Sequence, residues 1–121
     1  TLHRPFGVSR NDVWNETDPA STHLVALDGD RLVGYVRLIV EGGGGHVRQV
    51  VVDPRYRRRG IAASLVTCAL GRARELGLPF AFLNARSNAV GLYERLGFRV
   101  VGGAFRMGRT YLKHVRMEAV L

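Results

Sequence analysis

Between His46 and Leu83 the spacing of apolar residues changes twice. HVRQVVV at 46–52 has the short, β-branched composition of a strand and stops at Asp53-Pro54, where proline has no N–H for a ladder. From there the period lengthens. Ile61, Leu65, Ala69, Ala73 and Leu76 form one stripe, widened by Ala62, Val66 and Leu70, which predicts an amphipathic helix over 61–76. Gly77 and Pro79 end it. PFAFL at 79–83 is an apolar run bounded by breakers, read as a strand buried on both faces. A strand, a helix and a strand in this order make a βαβ unit, which commits the chain to a sheet with helices packed on it.

The flanks complete the sheet. HLVAL and LVGYVRLIV surround Asp28-Gly29-Asp30, a strong hairpin signal. GGGG at 42–45 reads as a flexible connection with its tip in solvent, leading into a third strand at His46. After PFAFL, Ser87 or Asn88 is expected to cap a second helix carrying Ala89, Leu92, Tyr93 and Leu96 on one face, with Gly97 just past its end. FRVVG and TYLKHVRMEAVL follow as strands, the last with Val115, Met117, Ala119 and Leu121 opposite His114, Arg116 and Glu118. Residues 1–21 show no clear periodicity, with Trp14 their natural anchor. Nothing marks a repeat or a boundary, so 1–121 is expected to be one domain with an irregular N-terminal segment at 1–21. An antiparallel meander running into a βαβ unit means a mixed sheet.

The charge is concentrated at one place in that order. Of 18 Lys and Arg residues 17 are arginine, and RYRRRG at 55–60 lies between a strand's carboxyl end and a helix's amino end. Free backbone N–H groups and the helix dipole make such a turn an anion site. Gly60 lets a ligand approach the backbone, and the small Ala62 and Ala63 keep the first turn open. A merely solvated helix start explains none of this, because cations are unfavourable there. A nucleic-acid patch is the rival, since a net charge of +8 attracts polyanions. It lacks a recognition motif and aromatics interleaved with the arginines. Other classes drop out earlier. No apolar run reaches the ~18 residues of a membrane-spanning helix. Cys68 is alone, so it forms no internal disulfide and no zinc cluster, which fits a reducing cytoplasm. On the helix interior it reads as a small buried hydrophobe. The chain opens on Thr1 rather than methionine, and the sequence leaves open whether residues precede it.

VVVDPRYRRRGIAASL resembles the acetyl-CoA signature of the GNAT superfamily of N-acetyltransferases, in which Arg or Gln is followed after two residues by Gly, any residue, and Gly or Ala. Arg57, Gly60 and Ala62 match it. AVGLYERLGFRVVG at 89–102 resembles the family's second signature, a helix carrying a tyrosine followed by Gly-Phe and a strand. The pair stands in the family's order and spacing, and the resemblance covers roughly 22–121. RPFG near the start, LNAR before the second helix and a final H-x-x-M are similar to a bacterial subgroup of largely unassigned acyltransferases. The implied fold is α/β (α+β): a mixed, mostly antiparallel sheet flanked by helices. The family usually begins with a strand and two helices, and the stretch before His23 is too short for all of them. An incomplete N-terminal strand would leave a sheet edge that a second subunit could cover in a homodimer, and the sequence leaves the oligomeric state open.

The resemblance also implies roles. Val50, Val51 and Val52 would offer backbone groups to the pantetheine arm and, through one amide, to the thioester oxygen. Arg57 completes the motif, and Arg58, Arg59, Gly60, Ile61, Ala62 and Ala63 would wrap the pyrophosphate. Tyr93 would protonate the departing CoA thiolate, with core packing as its bland alternative. The family's pantetheine-contacting asparagine, seven positions before the tyrosine, is here Arg86, with Asn84 and Asn88 nearby. A common base position, twelve before the tyrosine, is Ala81, which cannot titrate. His46, Glu41 or a water stands in for the base, His46 as the working assignment, although His46 and His114 are each read first as surface strand residues. The expected activity is direct transfer of an acetyl group from acetyl-CoA to an amine in a ternary complex, without a metal. A non-catalytic acyl-CoA-binding module is the alternative that keeps the fold.

Overall fold

The computed structural model describes residues 7–11, 21–102, 105–106 and 113–121. In chain order the strands and helices are β1 (Gly7–Asn11), β2 (Ser21–Asp28), β3 (Arg31–Glu41), β4 (Gly44–Val52), α1 (Ile61–Glu75), β5 (Phe80–Arg86), α2 (Val90–Arg95), β6 (Arg99–Val100), β7 (Phe105–Arg106) and β8 (Lys113–Val120). One mixed sheet holds all eight strands in the order β1-β2-β3-β4-β5-β8-β6, with β7 also on β8. Among the described strands only β4 and β5 run parallel, as the intervening helix requires.

The hairpin expected at Asp28-Gly29-Asp30 joins β2 to β3, with Asp28 paired to Arg31. The tetraglycine departs from its reading as a loose connection. Gly42 and Gly43, with φ of 61° and 81°, form a two-residue turn of the primed type, whose twist matches the strands. Gly44 and Gly45 already belong to β4 and are buried. A Cβ on Gly44 would lie 2.6 Å from the Phe80 ring, and one on Gly45 would lie 3.0 Å from Leu38. These two glycines therefore permit close approach rather than flexibility.

α1 covers one face of the sheet as its stripe dictates. Ile61, Leu65, Val66, Ala69, Leu70 and Ala73 are buried against Leu24, Ala26, Val36, Leu38 and Val47. Leu76, assigned to the same stripe, is the helix's C-cap residue and 38% exposed. Cys68 is exposed, which corrects its reading as a core residue. At about 100° per residue it falls about 20° beyond Ile61, outside the buried arc. Of PFAFL, Ala81, Phe82 and Leu83 are buried, which covers both faces, while Pro79 is exposed before the strand and Phe80 half-buried; β5 runs on to Arg86, paired with β8 from Phe80–Val120 to Arg86–His114.

Three further expectations change. The segment 1–21 is not wholly irregular, because Gly7–Asn11 pairs antiparallel with β2 from Gly7–Leu27 to Asn11–His23. An edge strand takes its order from its neighbour, so weak periodicity of its own is no bar. The N-terminal strand is thus present and covers the edge of β2. The anchor at Trp14 and the family's two early helices fall outside the described residues. Neither Ser87 nor Asn88 caps α2, which begins after Ala89 without a side-chain cap. The Ser87 hydroxyl donates instead to the Lys113 carbonyl at 3.1 Å. On β8, Met117 and Ala119 are buried as read, but His114 on the supposed solvent face is also buried.

Candidate active site

The site begins with strands that part. β4 and β5 pair only at Gly45–Ala81 and His46–Phe82. Beyond those pairs the edge of β4 facing β5 has no strand partner as far as Val52, and β5 is paired on its other side by β8 as far as Arg86. The cause lies in β4. Its register with β3 shifts between Tyr35–Val51 and Arg37–Arg48, where Gln49 takes a φ of 58°. Such a bulge bends a strand away from its neighbour. A cleft of about 810 Å³ opens between the strands. Unpaired main-chain N–H and C=O groups along a strand edge must find a partner, and an extended ligand laid in the cleft would provide one.

At the wide end lies the start of α1. The loop before it is fixed by three contacts. The Asp53 carboxylate accepts from the Arg55 N–H at 2.9 Å and from its guanidinium at 3.0 Å, which holds the Asp53 carboxyl below its ordinary range. Tyr56 donates to the Asp28 carboxylate at 2.6 Å across to the β2–β3 hairpin, and that bond raises the phenol's pKa. The Arg59 guanidinium sits 4.9 Å over the Tyr56 ring. Arg55 and Arg59 are thus held by the loop itself, whereas Arg57 lines the cleft and Arg58, at a φ of 65°, is exposed. Gly60 precedes the helix at a φ of 76°, and a Cβ there would meet nothing within 4 Å. The open space beside it borders the unpaired N–H groups of the first turn. Ile61 is 1% exposed, so its side chain anchors the helix in the core and only its backbone is available. Ala63 does not line the cleft wall; Ala62 does.

Tyr93 comes from α2 and stands on the opposite wall. It is buried, meets the Phe98 ring edge-on at a centroid distance of 5.9 Å, and has its pKa raised by burial. Its hydroxyl makes no hydrogen bond with a described residue. Asn84 and Asn88 also reach the wall, as do Arg86, His114, Arg48 and Gln49, which motif matching left out of the site. Arg86 and His114 face each other across β5 and β8, a register that no local pattern encodes.

At the narrow end, where the strands part, His46 lines the cleft and stacks on Phe82 with centroids 4.4 Å apart. The reading of His46 as a surface residue is corrected: its side chain is 14% exposed. Its Nδ1 bonds the Glu41 carboxylate from the other side of the Gly42–Gly43 turn. An ionised carboxylate only accepts, so Nδ1 carries the hydrogen and Nε2 of the neutral ring keeps its lone pair. That bond holds the Glu41 carboxyl below its ordinary range. The structure thus brings His46, Val50–Val52, Arg57, Ala62, Asn84, Asn88 and Tyr93 to one cleft. Among the described residues no group of three His, Cys, Asp or Glu side chains could hold a metal, and no helix is long and apolar enough to cross a membrane.

Comparison with known proteins agrees with this architecture. Mycothiol acetyltransferase from Actinosynnema mirum is 37% identical over 93 residues, which are 74% of this chain and 31% of that protein. The crystal structure of an acyl-CoA N-acyltransferase from Pseudomonas aeruginosa has a TM-score of 0.74 at 26% identity, over 83% of this chain and 68% of that one. A Bacillus anthracis protein solved in complex with acetyl coenzyme A shares the fold with a TM-score of 0.75 at 23% identity, over 90% and 68% of the two chains. The chain spans between 31% and 62% of the length of the first curated relatives it matches. A family model described as the acetyltransferase (GNAT) domain matches residues 7–121, and by that match the chain belongs to the GNAT acetyltransferase family.

Proposed function

We propose that this protein is an N-acetyltransferase that moves the acetyl group of acetyl-CoA directly to an amine. The observation that carries the reading is the cleft between β4 and β5, open from His46 to the start of α1, with Tyr93 on its wall and no hydrogen-bond partner for the tyrosine hydroxyl among the described residues. Its parts fit the donor by chemistry. The first turn of α1, with Gly60 and Ala62, suits a pyrophosphate; the free edge of Val50–Val52, with Asn84 and Asn88 opposite, suits the amide-bearing pantetheine arm.

Acetyl-CoA when bound supplies an acyl thioester, so that an amine gains the acyl carbon as the carbon–sulfur bond breaks. The residues of this chain manage the protons. His46 Nε2 takes one from the acceptor amine, with Glu41 fixing the tautomer. Tyr93 gives one to sulfur; burial keeps its phenol protonated until a thiolate is beside it. Backbone N–H groups on the free edge of β4 stabilise negative charge at the carbonyl oxygen. No enzyme nucleophile is needed when both substrates are held side by side.

Calorimetry with acetyl-CoA, followed by release of free thiol with a library of amines, tests the proposal. Binding and amine-dependent release are expected. Binding without release from any amine would leave the acyl-CoA-binding module, and failure to bind acetyl-CoA would overturn both.

A further inference from the structure

We propose that the acceptor is an amine that also carries an oxyanion, a carboxylate or a phosphate monoester, and that Arg48 holds that group beside His46. This deepens the reading just given and rests on it.

The face of β4 decides the geometry. Ile39–His46, Leu38–Val47 and Arg37–Arg48 are successive pairs in regular register, so His46 and Arg48 project from the same face of the sheet, and both line the cleft. The bulge comes only after Arg48. Arg37, the residue paired with Arg48 on β3, turns its guanidinium to β2, where its Nε donates to the Ser21 hydroxyl at 2.8 Å, so of this pair Arg48 is the one that lines the cleft. Arg48 is exposed and makes no hydrogen bond or ion pair with a described residue. The carboxylate that feels its charge, Glu41, is already bonded to His46.

The rest of the wall points the same way. Arg48, Arg57 and Arg86 line the cleft, and no Asp or Glu does so among the described residues. Among the described lining residues a diamine or polyamine would meet cations and no carboxylate. The same field lowers the pKa of an acceptor ammonium, which favours the neutral nucleophile but gives it no electrostatic hold. An oxyanion on the acceptor supplies that hold. The phosphate cradle at α1 does not use this arginine: Arg48 lies four residues before the end of β4, about 13 Å along the strand.

The test uses matched amines: β-alanine, O-phosphoethanolamine, β-alaninamide and 1,3-diaminopropane, together with the same four groups placed on a benzylamine frame. Thiol release is followed at saturating acetyl-CoA, and acceptor binding is measured by calorimetry in the presence of CoA. The carboxylate or the phosphate, whichever fits, should exceed the carboxamide at least about tenfold in kcat/KM, with the diamine poorest. Arg48→Gln should raise KM for the anionic acceptor about 10- to 100-fold while leaving KM for acetyl-CoA and the kinetics of the carboxamide within about twofold. Arg48→Glu should move the preference toward the diamine. Equal or better use of the carboxamide or diamine by the wild type overturns the acceptor class alone. So does an anionic-acceptor KM unchanged in Arg48→Gln. No release with any of these amines, despite acetyl-CoA binding, overturns the proposed transfer together with the acceptor class.

Discussion

Replacing Tyr93 with phenylalanine separates chemistry from packing, because the acid role predicts a loss of turnover with no loss of stability, whereas a packing role predicts wild-type turnover. The substitution keeps the ring, so the edge-on contact with Phe98 at 5.9 Å and the burial of the aromatic face survive. Only the hydroxyl goes. Tyr93 as a residue is 9% exposed and lines the cleft, and its hydroxyl has no hydrogen-bond partner among the described residues, so its removal takes no described bond from the fold. A buried hydroxyl without a partner costs free energy, so stability should be unchanged or rise by up to about 1 kcal/mol. Alkaline behaviour gives a second sign. Burial raises the folded-state pKa above the ordinary 10.0, so its effect is absent at neutral pH and stability falls as pH rises past 10. The phenylalanine variant should lose that part of the alkaline decline. Turnover should move the other way. Loss of a general acid lowers kcat about 10²- to 10⁴-fold, or about 2.7–5.4 kcal/mol in the barrier, with acetyl-CoA affinity nearly unchanged. Thiol release at saturating acetyl-CoA, thermal melting at pH 7 and pH 10.5, and calorimetry measure the three quantities. Wild-type turnover in the variant would refute the acid role, and a melting free energy lowered by more than about 1 kcal/mol would show that the hydroxyl was bonded after all.

Four further outcomes are expected. Gly60→Val would force a β-branched residue to a φ of 76° and fill the open space beside the helix start, and Ala62→Glu would set a carboxylate against phosphate; each should abolish measurable acetyl-CoA binding in calorimetry. Gly45→Ala places a methyl 3.0 Å from Leu38 and 3.3 Å from Leu78 in a buried site, so the denaturant midpoint should drop by the equivalent of about 1–3 kcal/mol. Glu41 has its folded-state pKa lowered by the bond from His46, so the stability this bond contributes is present above 4.5 and lost as pH falls through the lower folded value; the gap in melting temperature between wild type and Glu41→Gln should close on that acid side. Cys68 is exposed on α1, so a thiol reagent should label the native protein stoichiometrically and at nearly the rate of the unfolded chain.

What local spacing carries was legible without coordinates. The stripe from Ile61 to Ala73 names the buried side of α1, because a helix's own 3.6-residue period places those side chains together whatever they pack against. PFAFL and the turn at Gly29 were equally readable, and so was Gly60 before the helix, since each is a statement about a few consecutive residues. The tertiary structure decided everything that depends on which neighbour lies across a strand. Nothing in GGGG says that Gly44 lies under the Phe80 ring while Gly42 turns in solvent. His114 alternates with Met117's face and so reads as exposed, yet it is buried at the end of β8, opposite Arg86. His46 meets Glu41 because a two-residue turn folds β4 back on β3, and it reaches the cleft because β5 departs just after Phe82. The cleft itself follows from the bulge at Gln49, an ordinary strand residue in the sequence. A bulge is settled by competing pairing registers, and that energy belongs to two strands at once rather than to either sequence alone.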